Sequence, residues 1–311
     1  MRAFVTGGAG FIGSHICERL LNEGNEVTCL DNFDPYYDPA IKRKNIKPFL
    51  DNTNFTLIEG DIREYDLLKQ ALDGVDYVFH EAAQAGVRIS VQDPAKTHTV
   101  NATGTLNLLI AARNSGVKKI INASSSSVYG RVEYLPFDEN HPKRPISPYG
   151  VSKIMAEEYC RVFQELYGLN TVSLRYFTVY GPRMRPDLAI NIFLNQALNN
   201  EPLNIFGDGT KTRDLTFIDD IVAANCLALT RGNGAYNIGG GHNISIQELA
   251  KRIIAITGSS SRIEYGEAVQ GDAEHTSADI KKAEQELGWV PKTTIDEGLG
   301  IYKKWMQQYQ S

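Results

Sequence analysis

The 311-residue sequence predicts an α/β fold, a doubly wound parallel sheet with a smaller α/β lobe attached. Three observations lead there. Short apolar runs alternate with amphipathic stretches through the first half of the chain. A glycine-rich turn joins the first run to the first amphipathic stretch, and the texture changes after about residue 178.

Taken in order, Ala3–Val5 reads as the first strand and Phe11–Asn22 as the helix behind the glycine-rich turn. Glu26–Leu30 and Phe55–Ile58 follow as strands, then a helix over Glu64–Leu72. Asp76–His80 is the fourth strand and Val100–Asn114 its helix; Lys119–Asn122 is the fifth, with a helix over Tyr149–Tyr167. Thr171–Tyr176 is the sixth. Strands alternating with helices argue for a parallel sheet covered on both faces. Gly24, Gly74, Gly116 and Gly168 stand where helices stop or turns open. Past residue 178, Pro182, Pro186, Gly207, Gly209 and Gly239 to Gly241 interrupt the pattern. The sequence therefore divides into a sheet domain, residues 1–177, and a lobe, residues 178–311, closing over the sheet's carboxyl edge.

Composition removes several classes. Hydrophobic residues make up 42% of the chain, enough for a sizeable core, and 32 basic against 37 acidic residues leave a net charge of −5. Without a clustered basic face no nucleic-acid partner is expected. Cys17, Cys29, Cys160 and Cys226 form no CxxC pair and read as small apolar core residues of a reduced compartment. The six histidines include no HxxH or HxxxH spacing, so no metal is expected. The N-terminus runs straight into a strand, and no apolar run approaches the ~18–20 residues that span a bilayer. The expectation is a cytoplasmic protein with no membrane partner.

The turn TGGAGFIG carries the first functional signal. Gly7, Gly10 and Gly13 allow a tight turn, a close backbone approach to a pyrophosphate, and close packing of helix on strand. The following helix N-terminus, at Phe11 and Ile12, presents N–H donors and a positive dipole to the anion. Asp31, with Asn32 beside it, ends the second strand 18 residues after Gly13. An acid there accepts ribose hydroxyls and repels a 2′-phosphate, which favours NAD over NADP. Asp61 and Ile62, past the third strand, are placed to touch adenine; a plain capping role for Asp61 stays open. Ala82, Ala83 and Gln84 put small residues after the fourth strand, where the cofactor's backbone must pass.

Tyr149 and Lys153 lie at i and i+4, one above the other on a helix face. A free phenol titrates near ~10 and is a poor base at neutral pH, but a neighbouring ammonium and a nicotinamide cation favour the phenolate. Such a phenolate takes a proton from a substrate hydroxyl as hydrogen leaves the same carbon. The run Ser124 to Ser127, ending the fifth strand, offers a hydroxyl to hold the reacting oxygen and relay its proton.

Together these motifs resemble the extended short-chain dehydrogenase/reductase family, and within it the nucleotide-sugar epimerases. The resemblance runs from Met1 to about Trp305 and rests on TGGAGFIG, the serine stretch, YGVSK, RYFTVYGPRMRP, GDGTKTRD and ADIKKAEQELGW. It implies a Rossmann domain and a sugar-nucleotide lobe, with Ser125, Tyr149 and Lys153 as the catalytic triad. It implies Ser126 and Ser127 facing the sugar, Ser124 at the cofactor, Asn101 supporting the site, and Tyr176 near the nicotinamide. Arg213 would bind the nucleotide diphosphate and Asp272 its ribose. A homodimer through the helices around Val100–Asn114 and Tyr149–Tyr167 is implied as well.

The resemblance also bears on the reaction. Related dehydratases have Asp-Glu where this chain has Ser126 and Ser127, and eliminating a hydroxyl needs an acid. What remains is 4-epimerisation through a transient 4-keto sugar, with NAD regenerated in each turnover. The stretches DNFDPYYDPAIKRKN, AAQAGVR and FTVYGPRMRPDLAI are most similar to UDP-glucuronate 4-epimerases. Arg185 could fork a C6 carboxylate, with Thr178 as a second ligand; Arg185 on an ordinary loop or on a phosphate stays open. Thr178 departs from the asparagine of many glucose/galactose epimerases, and Val269-Gln270 from an arginine that would help Arg213. The alternatives are a UDP-glucose or UDP-N-acetylhexosamine 4-epimerase, a net reductase, and a non-catalytic NAD-binding sensor or scaffold.

Overall fold

In a computed structural model, which describes residues 1–241, 243–267 and 274–310, the apolar runs become strands buried on both faces. Phe4 and Val5 are fully buried although their side chains leave the sheet on opposite sides. The first half contains β1 (Arg2–Thr6), α1 (Phe11–Asn22), β2 (Glu26–Asp31), α2 (Pro39–Ile46), β3 (Phe55–Glu59) and α3 (Tyr65–Ala71). It continues with β4 (Tyr77–His80), α4 (Val87–Gln92), α5 (Pro94–His98), α6 (Gly104–Asn114), β5 (Lys119–Ser125), α7 (Pro148–Tyr167) and β6 (Asn170–Tyr176). All six expected strands form.

Two elements differ from expectation. β5 runs on to Ser125, which makes Ser124 and Ser125 strand residues. The helix expected from Val100 opens with a π-helical turn, Thr99–Thr103, ahead of α6. The cause is visible at Asn101, inside that turn. Its side chain is bonded to Gln84 and Ser152, so it faces two other elements at the point where the helix widens.

The second half contains β7 (Thr178–Tyr180), α8 (Ala189–Leu198), β8 (Leu203–Phe206), β9 (Thr212–Phe217) and α9 (Ile218–Ala228). Then come β10 (Gly234–Ile238), β11 (Asn243–Ser245), α10 (Ile246–Thr257), β12 (Ile263–Gly266) and α11 (Ile295–Gln310). The large sheet has seven strands in the order β10-β6-β5-β4-β1-β2-β3, every pair parallel. β10 thus returns past residue 178 to cover the edge of β6, so the sheet is not confined to residues 1–177. The smaller sheets, β11-β9-β7 and β12-β8, belong to the lobe.

One face of the large sheet packs against α3, α6 and α7 through residues such as Leu68, Leu108 and Phe163. The other shares a single core with the lobe, where Phe79, Ile121 and Leu174 join the same cluster as Phe193, Leu215 and Trp289. Strand order reverses between β1 and β4. In sheets of this kind ligands bind outside the carboxyl ends of the strands at that reversal.

Candidate active site

A cleft of about 990 Å³ opens at that reversal, between the carboxyl edge of the sheet and the lobe. Its floor is the glycine-rich turn. Gly7 has φ +65°, and a Cβ there would lie 2.7 Å from the Ala82 nitrogen. A Cβ on Gly13 would lie 2.3 Å from the Gly7 carbonyl oxygen. Only glycine lets the turn, the start of α1 and the end of β4 approach this closely. No side chain caps α1 and its first turn holds no acid, so its leading amides suit an external anion.

Asp31 is held rigid at the end of β2. Its carboxylate accepts from the Phe33 nitrogen at 2.8 Å and the Ala9 nitrogen at 3.2 Å, with Lys42 Nζ 3.6 Å away. Asn32 donates to Asp61 at 2.8 Å, and Arg63 forks the same carboxylate at 2.8 and 2.7 Å. The Arg63 bonds pull the Asp61 pKa down to about 2, against partial burial. Ile62 is buried beneath α6, where a Cβ on Gly104 would clash with it. The residues fit a dinucleotide: amides for a pyrophosphate, an acid for ribose hydroxyls, and an apolar shelf beside a fixed carboxylate.

Across the cleft, β5 and α7 bring the serines to the tyrosine and lysine. The Ser125 hydroxyl donates to Ser127 Oγ and accepts from the Ser127 nitrogen, both at 3.1 Å. Lys153 Nζ is buried, donates to the Ala123 carbonyl at 2.7 Å, and lies 5.9 Å from the Tyr149 ring centroid. Its ammonium is thereby fixed beside the phenol. The Ser124 hydroxyl donates at 2.6 Å to Glu157, which Arg175 forks at 2.8 and 2.8 Å. Burial alone would raise the Glu157 carboxyl; Arg175 and Ser124 outweigh it and hold the group below the usual range.

Asn101 links the two walls. It accepts from the Gln84 nitrogen at 2.7 Å, donates to the Gln84 carbonyl at 3.1 Å, and donates to Ser152 Oγ at 2.9 Å. Ser152 in turn donates to the Tyr149 carbonyl at 2.8 Å, so the loop after β4 and the start of α7 move together.

The residues singled out from sequence converge. Gly7, Gly10, Phe11, Ile12, Gly13, Asp31, Asn32, Asp61, Ile62, Ala82, Ala83 and Gln84 line the cleft, as do Ser124 to Ser127, Tyr149, Tyr176, Thr178, Arg185 and Arg213. Asn101 and Lys153 stand behind the wall. Asp272, with Val269, Gln270 and Gly271, lies outside the described residues. Arg185 forks Asp187 at 3.1 and 3.2 Å, and Tyr36 donates to the same Asp187 at 2.9 Å. The sequence reading passed over Tyr36, Lys42, Glu81, Asp187 and Glu157. Glu157, four residues past Lys153, and Glu81, at a strand's carboxyl end, were the two with a positional signal. Among the described residues no cluster of His, Cys, Asp or Glu could hold a metal.

Comparison with known proteins agrees with this geometry. Residues 3–239 match the model of the NAD dependent epimerase/dehydratase family. The chain is 40% identical to a putative UDP-glucose 4-epimerase of Methanocaldococcus jannaschii, over 97% of each protein. It is 39% identical to the UDP-glucuronate 4-epimerase of Thermodesulfobacterium geofontis, covering 98% of this chain and 95% of that one. The crystal structure of UDP-glucuronic acid 4-epimerase from Bacillus cereus, in complex with UDP-glucuronic acid and NAD, superposes with a TM-score of 0.94 at 38% identity, covering 99% of this chain and all of that one. The chain belongs to the NAD dependent epimerase/dehydratase family, within the extended short-chain dehydrogenase/reductases.

Proposed function

We propose that the protein is an NAD-dependent UDP-sugar 4-epimerase whose preferred pair is UDP-glucuronate and UDP-galacturonate. The carrying observation is Ser125 and Tyr149 at one wall of the cleft with Lys153 buried behind them, and serines rather than acids at 126 and 127. Bound NAD supplies a two-electron acceptor that takes hydrogen from C4 of the sugar and gives it back. Tyr149 takes the proton of the C4 hydroxyl, and Lys153 stabilises the phenolate by its charge. Ser125 holds the reacting oxygen by a hydrogen bond. Ser126 and Ser127 face the sugar and cannot protonate a leaving hydroxyl, so the keto sugar turns in the pocket and is reduced from its other face. Tyr149 then returns the proton.

Asp31, Asn32, Asp61, Ile62 and the turn from Gly7 to Gly13 hold the dinucleotide, with Ala82 to Gln84 and Tyr176 along its length. Arg213 binds the sugar nucleotide's diphosphate, and Asp272 its ribose. Arg185 and Thr178 read the C6 carboxylate. A neutral hexose is the second reading, supported by the Arg185–Asp187 pair, which leaves the guanidinium already neutralised. The protein works in the cytoplasm and as a homodimer, the dimer being supported by the exposed Val151, Leu166 and Tyr167 on α7. No helix among the described residues is long and apolar enough to cross a membrane.

The test is a product assay by NMR with UDP-glucuronate, UDP-glucose and UDP-N-acetylglucosamine side by side. UDP-galacturonate should form with the highest kcat/KM. Turnover of UDP-glucose as efficient as that of the uronic acid would overturn the preference, and no 4-epimer from any of the three would overturn the activity.

A further inference from the structure

One acid inside the cleft has no part in the mechanism above. Glu81 directly follows β4, between His80 and Ala82, and lines the cleft. Successive side chains leave a strand on opposite faces. His80 accordingly meets Thr105 on the α6 side, while Glu81 meets Tyr176, which donates to Oε1 at 2.9 Å. Behind Tyr176 stands Asn225 of α9, with Nδ2 at 2.8 Å and Oδ1 at 3.1 Å from the same phenol oxygen.

This trio is satisfied in either protonation state. With Glu81 ionised, the phenol gives its one proton to the carboxylate and accepts from the Asn225 amide. With Glu81 protonated, the carboxyl gives its proton to the phenol oxygen, and the phenol turns its own toward Asn225 Oδ1. Neither state leaves a buried donor without a partner, so protonation carries no hydrogen-bonding penalty. Burial pushes the Glu81 pKa up to about 7, against the Tyr176 bond and the Lys153 ammonium. The groups that face it are Tyr176 from β6, Lys153 with Tyr149 one turn before it from α7, and uncharged Asn225 from α9.

Glu81 also sits at the reacting end of the cleft. Tyr176 is in register with Ser125 across β5 and β6, and Ala82 and Ala83 follow Glu81 directly. A negative charge there favours whichever bound species carries more positive charge. We infer that Glu81 sets the redox balance of the bound cofactor, its carboxylate favouring the oxidised form so that keto sugar with reduced cofactor stays a small fraction of the enzyme. The inference rests on the NAD-dependent epimerase reading. Electrons balance within that cycle, since what C4 gives up the cofactor holds and returns. Glu81 exchanges only a proton with solvent, and its proton affinity rises when the cofactor loses its positive charge.

The test uses Glu81→Gln, which keeps an acceptor for Tyr176 and removes the charge. Holoenzyme is equilibrated with the UDP-sugar it turns over, and the reduced fraction is read from near-ultraviolet absorbance between about pH 6 and about pH 8.5. The ratio of variant to wild type should grow with pH and reach about tenfold, or about 30 mV for a two-electron couple. A merely structural role would lower stability or kcat without moving this ratio. Should the variant not fold, Tyr176→Phe serves instead. It keeps the carboxyl but removes its donor, so the reduced fraction should exceed wild type just above neutrality and converge with it at higher pH. Equal reduced fractions at every pH, with normal epimerisation, would overturn the inference and leave the epimerase reading standing. Absence of epimerisation by wild type would instead strike the reading itself.

Discussion

His80 lies between Thr6 and Thr105, and the Thr105 side fixes a hydrogen on Nε2. Ala82 N–H donates to Thr6 Oγ1 at 3.2 Å, and Thr6 Oγ1, with its own hydrogen still to give, lies 2.8 Å from His80 Nδ1. Thr105 donates to the Asn101 carbonyl at 2.6 Å, so it accepts from His80 Nε2 at 2.9 Å. This places a hydrogen on Nε2, and with Nδ1 left to accept from Thr6 the ring is the neutral tautomer that burial favours. Burial pushes the His80 pKa down to about 3, and the Lys153 charge acts in the same direction. An unfolded histidine titrates near ~6.5, so between there and about 3 the unfolded chain binds a proton that the folded chain refuses. Stability from this residue is complete above ~6.5 and declines as pH falls, by up to about 1.4 kcal/mol per unit. Urea unfolding of wild type and His80→Gln at neutral and acidic pH checks this. The wild type should lose stability relative to the variant on acidification, while groups common to both, Glu81 among them, cancel. A constant difference would refute the neutral assignment.

At the scale of elements, α7 carries the site because each inward turn is pinned to the end of β5. Lys153 bonds the Ala123 carbonyl and Glu157 accepts from Ser124, one turn further along. Arg175 of β6 completes the arrangement from the next strand, and it also donates to Tyr129 at 2.9 Å. A buried pair of this kind contributes little net stability, yet removing one partner strands the other charge, typically at a cost of about 3–5 kcal/mol. Glu157→Gln should therefore destabilise by roughly that amount, measured by denaturant unfolding. It should also lower kcat while leaving KM for the sugar nucleotide close to wild type, because Ser124 and α7 lose their common anchor. A loss below about 1 kcal/mol would mean that the Gln amide satisfies Arg175 almost as well. The spacing of Tyr149 and Lys153 was read from the sequence, while Glu157, one turn further on, was passed over. The partner of Glu157 was not legible there, since Arg175 arrives from a separate strand.

For the whole molecule, the question is how sheet and lobe meet over the cleft. Tyr36, in the loop after β2, reaches Asp187, beyond β7, and Asp187 holds Arg185. Asp187 takes only two of the guanidinium's five N–H donors, Nε and one on Nη2, so under the proposed reading a C6 carboxylate would share Arg185 with Asp187 or displace it. Arg185→Ala should lower kcat/KM for UDP-glucuronate roughly 10- to 100-fold, the worth of a charge-assisted hydrogen bond, and for UDP-glucose by less than about threefold. Equal losses on both substrates would show that Arg185 does not read the carboxylate. Fold class, the cofactor turn with Asp31, and the stacking of Tyr149 on Lys153 were legible in the chain alone, whereas which of Ser124 to Ser127 joins that pair was not. Each of the legible features is encoded locally, in a period, a turn or one helical repeat. Only the tertiary structure decided that β10 closes the sheet, that Arg185 is paired, that His80 is neutral, and that Glu81 faces Tyr176. Those outcomes depend on side chains far apart in the chain, 151 residues for Tyr36 and Asp187 and 95 for Glu81 and Tyr176. Local pattern specifies which element a residue joins, but the partner of a buried polar group is set by whatever packing brings within hydrogen-bond reach.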